Sequence, residues 1–246
     1  MVLFPLKESF MRELKEINDT LAREIRFKAT EFEDLVDLSA DDLDENACPL
    51  IVLAINRSFR GNVRPAVALA MIVQYIFLAD QVHHLMKDTP DLEEEKRQFP
   101  VLVGDFLYGK FFLGLCKNKL LNLLAPLARV IAVMNEGAIS RWLINGKGSE
   151  SEQLKILEME RANLTGVAAR LSAELAGCSE KIQNRCEALG WELGLAWAAW
   201  RDHMERRVVQ QSLFRAKEIL QEIPEAEAKP LHELYQYMER SLGEAV

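Results

Sequence analysis

Residues 65–80 constrain the fold more than any other part of the sequence. The segment is apolar on almost every side of a helix, interrupted by Gln74 and ended by Asp80. This pattern is typical of a helix at the centre of a core, and Pro65 suits its first turn. Gly (12) and Pro (8) are scarce among the 246 residues, which favours long helices over a turn-rich β fold. We therefore predict a central helix from residue 65 to about 87.

Helical periodicity recurs along most of the chain. We expect about nine or ten helices, no strand and a single all-α domain over residues 1–246. Residues 145–149 form the clearest loop. The expected helices are 10–37, 49–59, 65–87, 100–117, 118–135 (kinked at Pro126), 151–176, one or two over 179–220, and 231–242, with Ser39 as a possible cap before residue 49.

Charge and cysteine content exclude several classes of protein. A net charge of −8 and a pI near 5.2 argue against a general nucleic-acid binder. The cysteines are scattered without a CxxC pair, so we expect free thiols in a reducing compartment.

The N-terminus does not resemble a signal peptide, and the run 65–80 is shorter than the roughly 20 residues of a membrane span. We expect a cytoplasmic protein without a transmembrane segment.

Three segments occur in an informative order. Asp80 is followed by Gln81 and His84, Gly104-Asp105 lies within 101–112, and Asp202 lies within 193–205. Their order and spacing resemble the trans-polyprenyl diphosphate synthases over roughly residues 55–210. The resemblance implies an isoprenoid synthase-like helical bundle around a central cavity. In that family two aspartate-rich helical motifs hold Mg²⁺, a cation that prefers oxygen ligands, and the metal binds an allylic diphosphate.

The residues at the catalytic positions depart from that pattern. The first motif keeps Asp80, with Gln81 and His84 at its other two positions. The second keeps Asp202 in the middle, with Arg201 before it and Glu205 at the end. A neutral amide and an imidazole do not replace hard anionic ligands, and a cation at Arg201 would repel Mg²⁺.

The resemblance implies vestigial site residues and no intact catalytic ones. The candidate metal ligands are Asp80, His84, Asp202 and Glu205, and the candidate substrate-binding residues are Arg64, Tyr75, Ile76 and Asp105. Arg64 belongs to a segment that binds isopentenyl diphosphate in the family, and Tyr75 and Ile76 stand where side chains limit tunnel depth. Glu160 replaces a diphosphate-binding lysine. A zinc site at Asp80 and His84 is an alternative to a polar helix face that lines the former cavity.

Within the family, the chain looks most like the small non-catalytic component (component 1) of heteromeric heptaprenyl diphosphate synthase. That resemblance implies a heterodimer with a catalytic subunit, or a homodimer, through about residues 106–134. The partner would supply the Mg²⁺ site for a long-chain prenyl diphosphate used in menaquinone side chains. The alternatives are a weakly active homomeric Mg²⁺-dependent prenyltransferase and an isoprenoid-binding or scaffolding protein without a synthase role.

Overall fold

The computed structural model describes residues 5–25, 42–85 and 94–243. Within these ranges every regular element is a helix, which confirms the all-α prediction. The α-helices are α1 (Pro5–Ser9), α2 (Met11–Ile25), α3 (Asp42–Ser58), α4 (Val63–His83), α5 (Glu94–Lys117), α6 (Leu124–Ile144), α7 (Glu150–Leu157), α8 (Asn163–Leu175), α9 (Glu180–Arg201), α10 (Arg206–Gln221) and α11 (Glu225–Gly243).

Helix α4 lies at the centre of the fold, as its sequence predicts. It packs against α3, α5 and α8, and nearly all of its side chains are buried. Helix α9 packs along α8 and continues the core towards α10. Buried side chains from the N-terminal helices to α11 form one continuous hydrophobic cluster. The motif residues at the ends of α4 and α9 are therefore held by the best-packed part of the chain.

Three prolines lie elsewhere in the helices than we predicted. Pro49 lies inside α3 and Pro100 inside α5, so both helices begin before the proline. Burial of α3 on most of its surface offsets the loss of one helical hydrogen bond there. Pro126 lies in the first turn of α6, where proline is tolerated. The break falls before it, where Lys119 has φ 58. The predicted Ser39 cap lies outside the described residues.

The predicted loop at 145–149 is confirmed, and its ends have clear local causes. Asn145 ends α6 in the left-handed conformation, with φ 43 and ψ 48. Ser149 caps α7, because its side chain accepts from the main-chain N–H of Glu152 while the Glu152 carboxylate accepts from Ser149. This reciprocal pair is a capping box. It fixes where the next helix starts.

A π-helical turn, Glu158–Ala162, joins α7 to α8. We predicted an uninterrupted helix over 151–176, and the sequence gives no signal for the extra residue in this turn. Such turns change the register of side chains on either side and occur often at functional sites. Here the turn carries Glu160 and Arg161.

Three helices of the described chain are long and apolar enough to span a membrane by length and composition alone: Val63–His83, Gln98–Lys117 and Leu121–Ile144. We expected the longest apolar run, residues 65–80, to be too short for a membrane span, but by length and composition all three helices reach it. Most of α4 is buried inside the fold, whereas about a third or less of the other two segments is buried. Many apolar side chains of these two segments are therefore exposed to solvent.

These two segments, 98–117 and 121–144, carry eight of the eleven large hydrophobic side chains that are exposed in the described ranges, and we call their exposed sides together the α5–α6 face. They are Val101, Leu102, Phe112, Leu113, Leu121, Ile139, Trp142 and Leu143. The last three are spaced i, i+3 and i+4, so they lie on one side of α6. Exposed apolar side chains in this number on two consecutive helices favour an interaction surface.

Candidate functional site

The site begins at Gly137, where α6 crosses the π turn. A Cβ atom on Gly137 would lie 2.9 Å from Cγ of Glu160 and 3.1 Å from Cβ of Met159. The absence of a side chain therefore lets the two segments come into close contact. Arg141 lies one helical turn after Gly137 on the same side of α6. This approach brings the Arg141 side chain to Glu160.

Glu160 is a buried carboxylate, 5% exposed, at the centre of the site. Arg141 donates to it three times, from Nε at 3.0 and 3.1 Å and from Nη2 at 2.6 Å. A buried carboxylate is costly unless it is paired and hydrogen-bonded. Burial raises the pKa of Glu160, but hydrogen bonds from His84 and Arg141 outweigh it and hold that pKa below its usual value.

Arg141 also reaches the remnant of the second motif. Its Nη1 lies 2.6 Å from Oδ2 of Asp202, at the end of α9. Burial lowers the pKa of Arg141, and the hydrogen bonds and charges of Glu160 and Asp202 more than reverse this effect. One guanidinium thus joins carboxylates from two different elements.

His84 completes a chain of ionic contacts from the first motif to the second. Its Nδ1 lies 2.8 Å from the main-chain oxygen of Asp80, and its Nε2 lies 3.4 Å from Oε1 of Glu160. Burial lowers the pKa of His84, but Glu160 and Asp80 raise it to about 9. Asp80 is 4% exposed, and its burial raises its pKa despite the nearby His84 and Arg161. We call the five residues Asp80, His84, Glu160, Arg141 and Asp202 the ionic chain.

Arg161, the neighbour of Glu160 in the π turn, lies over two aromatic rings. Its guanidinium carbon is 4.2 Å from the ring centre of Phe77 and 4.8 Å from that of Trp197. The two rings contact each other, with centres 5.2 Å apart. Trp197 is therefore a core residue, and cation–π contacts fix Arg161 beside Asp80.

Two charged residues of the second motif make ion pairs outside the ionic chain. Arg201 makes an ion pair with Asp44 of α3, at 2.9 Å, so the cation that contacts Asp202 is Arg141. The expectation that Arg201 supplies the repelling charge is corrected in this respect. Glu205 is an exposed residue before α10, and Arg207 donates to its carboxylate at 2.7 Å.

The candidate substrate-binding residues lie in separate parts of the fold. Arg64 is exposed at the start of α4, where its main-chain N–H donates to Asn62. Tyr75 and Ile76 are buried. The Tyr75 hydroxyl donates to Glu24 of α2 at 2.6 Å, and burial is the main cause of its raised pKa. The structure brings none of these three into the ionic chain.

Asp105 lies opposite His83, with 3.8 Å between its Oδ1 and His83 Nε2. The contact depends on Gly104, because a Cβ atom there would lie 2.0 Å from the same nitrogen. The His83 ring also packs against Tyr108, with centres 5.6 Å apart. The Gly104-Asp105 segment therefore joins α5 to the end of α4.

The residues present do not fit a Mg²⁺ ion in this arrangement. The carboxylates of Asp202 and Glu160 already contact Arg141, and a fixed cation between them repels a second one. His84 contacts acceptors through both nitrogens, so it offers no lone pair to zinc either. Within the described ranges, no group of three or more His, Cys, Asp or Glu residues is arranged to hold a metal.

A cavity of about 630 Å³ lies between α10 and α11. Trp200, Leu213, Phe214 and Tyr235 contribute to its apolar wall, and Arg206 and Lys217 also line it. No residue of the ionic chain lines this cavity. It is therefore separate from the position where the two motifs meet.

Known prenyl diphosphate synthases resemble this chain in sequence and in fold. Over 175 residues the chain is 26% identical to the octaprenyl diphosphate synthase of Haemophilus influenzae, across 67% of this chain and 53% of that enzyme. The polyprenyl synthase of Caulobacter crescentus, solved with calcium and isoprenyl diphosphate, has a TM-score of 0.78 at 19% identity and covers 95% of this chain and 97% of its own. The chain is therefore similar to polyprenyl diphosphate synthases in sequence and in fold.

The similarity has defined limits. No protein-family model matches the synthase-like chain, and it spans about half the length of the Haemophilus enzyme. A heterotetrameric geranyl pyrophosphate synthase from mint has the same fold, with a TM-score of 0.71 at 17% identity, over 93% of this chain and 98% of its own. Proteins with this fold therefore include a heterotetrameric synthase as well as the Caulobacter polyprenyl synthase.

Proposed function

We propose that this chain is a non-catalytic subunit of a heteromeric long-chain trans-prenyl diphosphate synthase. The observation that carries the proposal is the charge of the ionic chain. Glu160 stands where the resemblance implies a diphosphate-binding lysine, and its buried carboxylate recruits Arg141 and His84. Arg141 in turn neutralises Asp202, the remaining aspartate of the second motif.

Charge distribution argues against binding of a metal diphosphate in this chain. A diphosphate at the position where the two motifs meet would face the buried Glu160 carboxylate, and Mg²⁺ there would face the Arg141 guanidinium. Both contacts join like charges in a partly desolvated place, where repulsion is stronger than in water. We therefore propose that magnesium and the prenyl diphosphates bind at the partner's site and, as the family resemblance implies, that the product is a precursor of a menaquinone side chain.

The α5–α6 face supports the second half of the proposal, which is pairing with a catalytic chain. The predicted interface was residues 106–134, and the exposed apolar side chains extend from Val101 to Leu143. Obligate interfaces are more apolar than ordinary surface. We assign this face to a synthase chain with intact aspartate motifs, in a cytoplasmic complex. A second copy of this chain is the competing occupant.

Reconstitution tests the proposal directly. Each chain is purified alone and in a mixture, and incorporation of labelled isopentenyl diphosphate into long products is measured with Mg²⁺ and an allylic primer. We expect long product from the mixture and none from this chain alone. If the mixture is no faster than the catalytic chain and the two do not co-elute, the proposed pairing is wrong.

A weakly active homomeric prenyltransferase is the second candidate, because the Haemophilus relative is itself named a synthase. In that case Asp80, Asp105, Asp202, Glu205 and Arg64 would bind Mg²⁺ and diphosphate. Magnesium-dependent turnover by the pure chain distinguishes this candidate from the first.

A further inference from the structure

The cavity between α10 and α11 belongs neither to the ionic chain nor to the α5–α6 face. Its volume of about 630 Å³ falls in the range of roughly 300–1,000 Å³ that is usual for small-molecule sites, which combine an apolar wall with a few polar groups. Leu213, Tyr235 and Leu242 are buried residues of its lining, whereas Phe214 lines it and remains 61% exposed. The cavity therefore has an apolar wall that is partly open to solvent.

One side of α10 carries both apolar and basic residues of the lining. Arg206, Gln210, Phe214 and Lys217 follow one another at intervals of four, four and three residues, so they lie along the same side of the helix. Arg206 is the first residue of α10, and Lys217 lies eleven residues further on, which is about 16 Å along a helix. The lining therefore extends along α10, with a cation at either end of this stretch.

The basic residues of this lining are free of ion pairs in the part of the chain that the structure describes. Among the described residues, none forms an ion pair with Arg206 or Lys217. Glu239 is the one acidic residue that lines the cavity there, and it accepts from the Tyr235 hydroxyl at 2.9 Å. Two cations thus line the cavity against one carboxylate, although the whole chain has a net charge of −8. A negatively charged ligand complements such a lining.

The end of the cavity at Arg206 suits an anionic head group better than the end at Lys217. His203, in the turn between α9 and α10, also lines the cavity and lies three residues before Arg206. A guanidinium and an imidazole together donate hydrogen bonds to a phosphate or a carboxylate, whereas the lysine ammonium is a single flexible point charge. The start of α10 therefore offers two donor groups to an anion.

We propose that this cavity binds a single-chain amphiphile with an anionic head group, either a phosphate ester or a carboxylate. The head group contacts Arg206 and His203, and the apolar chain lies along α10 against Leu213 and Phe214, towards Lys217. The position is separate from the ionic chain and from the α5–α6 face, so failure of this inference leaves the proposed pairing with a catalytic chain intact.

Calorimetric titration of the full chain with dodecyl phosphate and, separately, with dodecanoate tests the proposal, at concentrations below those at which micelles form. Inorganic phosphate, which lacks the chain, and dodecyl maltoside, which lacks the charge, are the references. We expect one site per chain and binding at least about tenfold tighter than either reference, the effect of one charge-assisted hydrogen bond. The tighter of the two charged probes identifies the head group. Binding of neither charged probe, or equal binding of dodecyl maltoside, would overturn the proposal.

Arg206→Gln and Lys217→Gln are a matched pair, because both residues are exposed cations on the same side of α10. We expect Arg206→Gln to weaken binding about tenfold and Lys217→Gln less than about twofold. Equal losses would show a general attraction of anions to a basic surface and would contradict the proposal.

Two further variants locate the apolar chain. Phe214→Glu places a negative charge beside it and should abolish binding, whereas Trp142→Glu, on the α5–α6 face, should leave binding unchanged. If Trp142→Glu removes binding and Phe214→Glu does not, the amphiphile covers the α5–α6 face and the proposed site is wrong.

Discussion

Asp80 and His84 lie one turn apart on α4, and His84 Nδ1 is 2.8 Å from the main-chain oxygen of Asp80 and 3.6 Å from its carboxylate. The other ring nitrogen faces Glu160 at 3.4 Å. Two acceptors on opposite sides stabilise the protonated ring. In the ionic chain His84 therefore acts as a cation rather than as a metal ligand.

The raised pKa of His84 predicts how stability depends on pH. Its pKa is about 9 in the folded chain against 6.5 ordinarily. The stabilisation is fully present below pH 6.5 and is lost as pH rises through about 9. After allowance for solvent at a side chain that is 29% exposed, we expect a contribution of about 1–2 kcal/mol. Urea unfolding across this range measures it.

The control for the pH prediction is His84→Gln. Burial raises the pKa of the Cys48 thiol to about 12, so the wild type also loses stability in alkaline solution for a separate reason. The difference in unfolding free energy between wild type and variant isolates His84. A difference that stays constant from pH 6.5 to beyond about 9 would show that His84 is not a paired cation.

Helices α8 and α9 are in such close contact that a methyl group added at Gly190 should destabilise the fold. A Cβ atom on Gly190 would lie 2.5 Å from the main-chain oxygen of Thr165, which cannot move without its helix. Gly190→Ala should therefore cost about 1–3 kcal/mol of unfolding free energy. Gly109→Ala is the matched control, since nothing lies within 4 Å of its Cβ, and it should be neutral or stabilising by up to about 1 kcal/mol.

The sequence predicted the helical fold, the central position of α4 and the loop at 145–149. These features depend on local apolar pattern and cap residues, which are visible in a single chain. It also identified Glu160 as an acidic residue at a position where the family that the chain resembles has a diphosphate-binding lysine. It did not identify Arg141, because that role depends on the close approach of α6 at Gly137 and on the register of the π turn.

Arg201 is a second residue whose contacts the sequence did not predict. Its place in the second motif indicated that it would lie beside Asp202 in the metal cluster. The structure pairs it with Asp44, a residue far away in sequence on α3. Arg201 pairs with the buried carboxylate of Asp44, and the spacing of the motif carries no information about that neighbour.

The α5–α6 face predicts how pairing responds to substitution. Trp142 is 75% exposed, so Trp142→Glu should leave the stability of the isolated chain within about 0.5 kcal/mol. It should weaken binding to the catalytic chain at least about thirtyfold, the loss typical of a large aromatic contact. Analytical ultracentrifugation or mass photometry of the two chains measures the change in Kd.

Phe214→Glu is the control for that substitution, because Phe214 is 61% exposed on α10, outside the face. It should leave pairing unchanged. If both variants pair normally, the catalytic chain binds elsewhere. If the wild type forms only a homodimer that Trp142→Glu disrupts, the face joins two copies of this chain.

The four cysteines should differ sharply in reactivity. Cys116 is exposed, whereas Cys48 and Cys186 are buried, and burial raises the pKa of each of these two thiols to about 12. A thiol reagent that reacts with the thiolate should therefore modify Cys116 first and leave Cys48 and Cys186 unmodified until the chain unfolds. Peptide mass mapping over time checks the order, and early modification of Cys48 would show that α3 is not packed as described.

Incorporation of labelled isopentenyl diphosphate by the purified chain, with Mg²⁺ and an allylic primer, tests the central claim most directly. The ionic chain pairs Asp80 with His84 and Asp202 with Arg141, so we predict no incorporation above a control without protein. Clear turnover that Asp80→Ala abolishes would contradict the account, because it would show that the altered motifs still bind metal and catalyse.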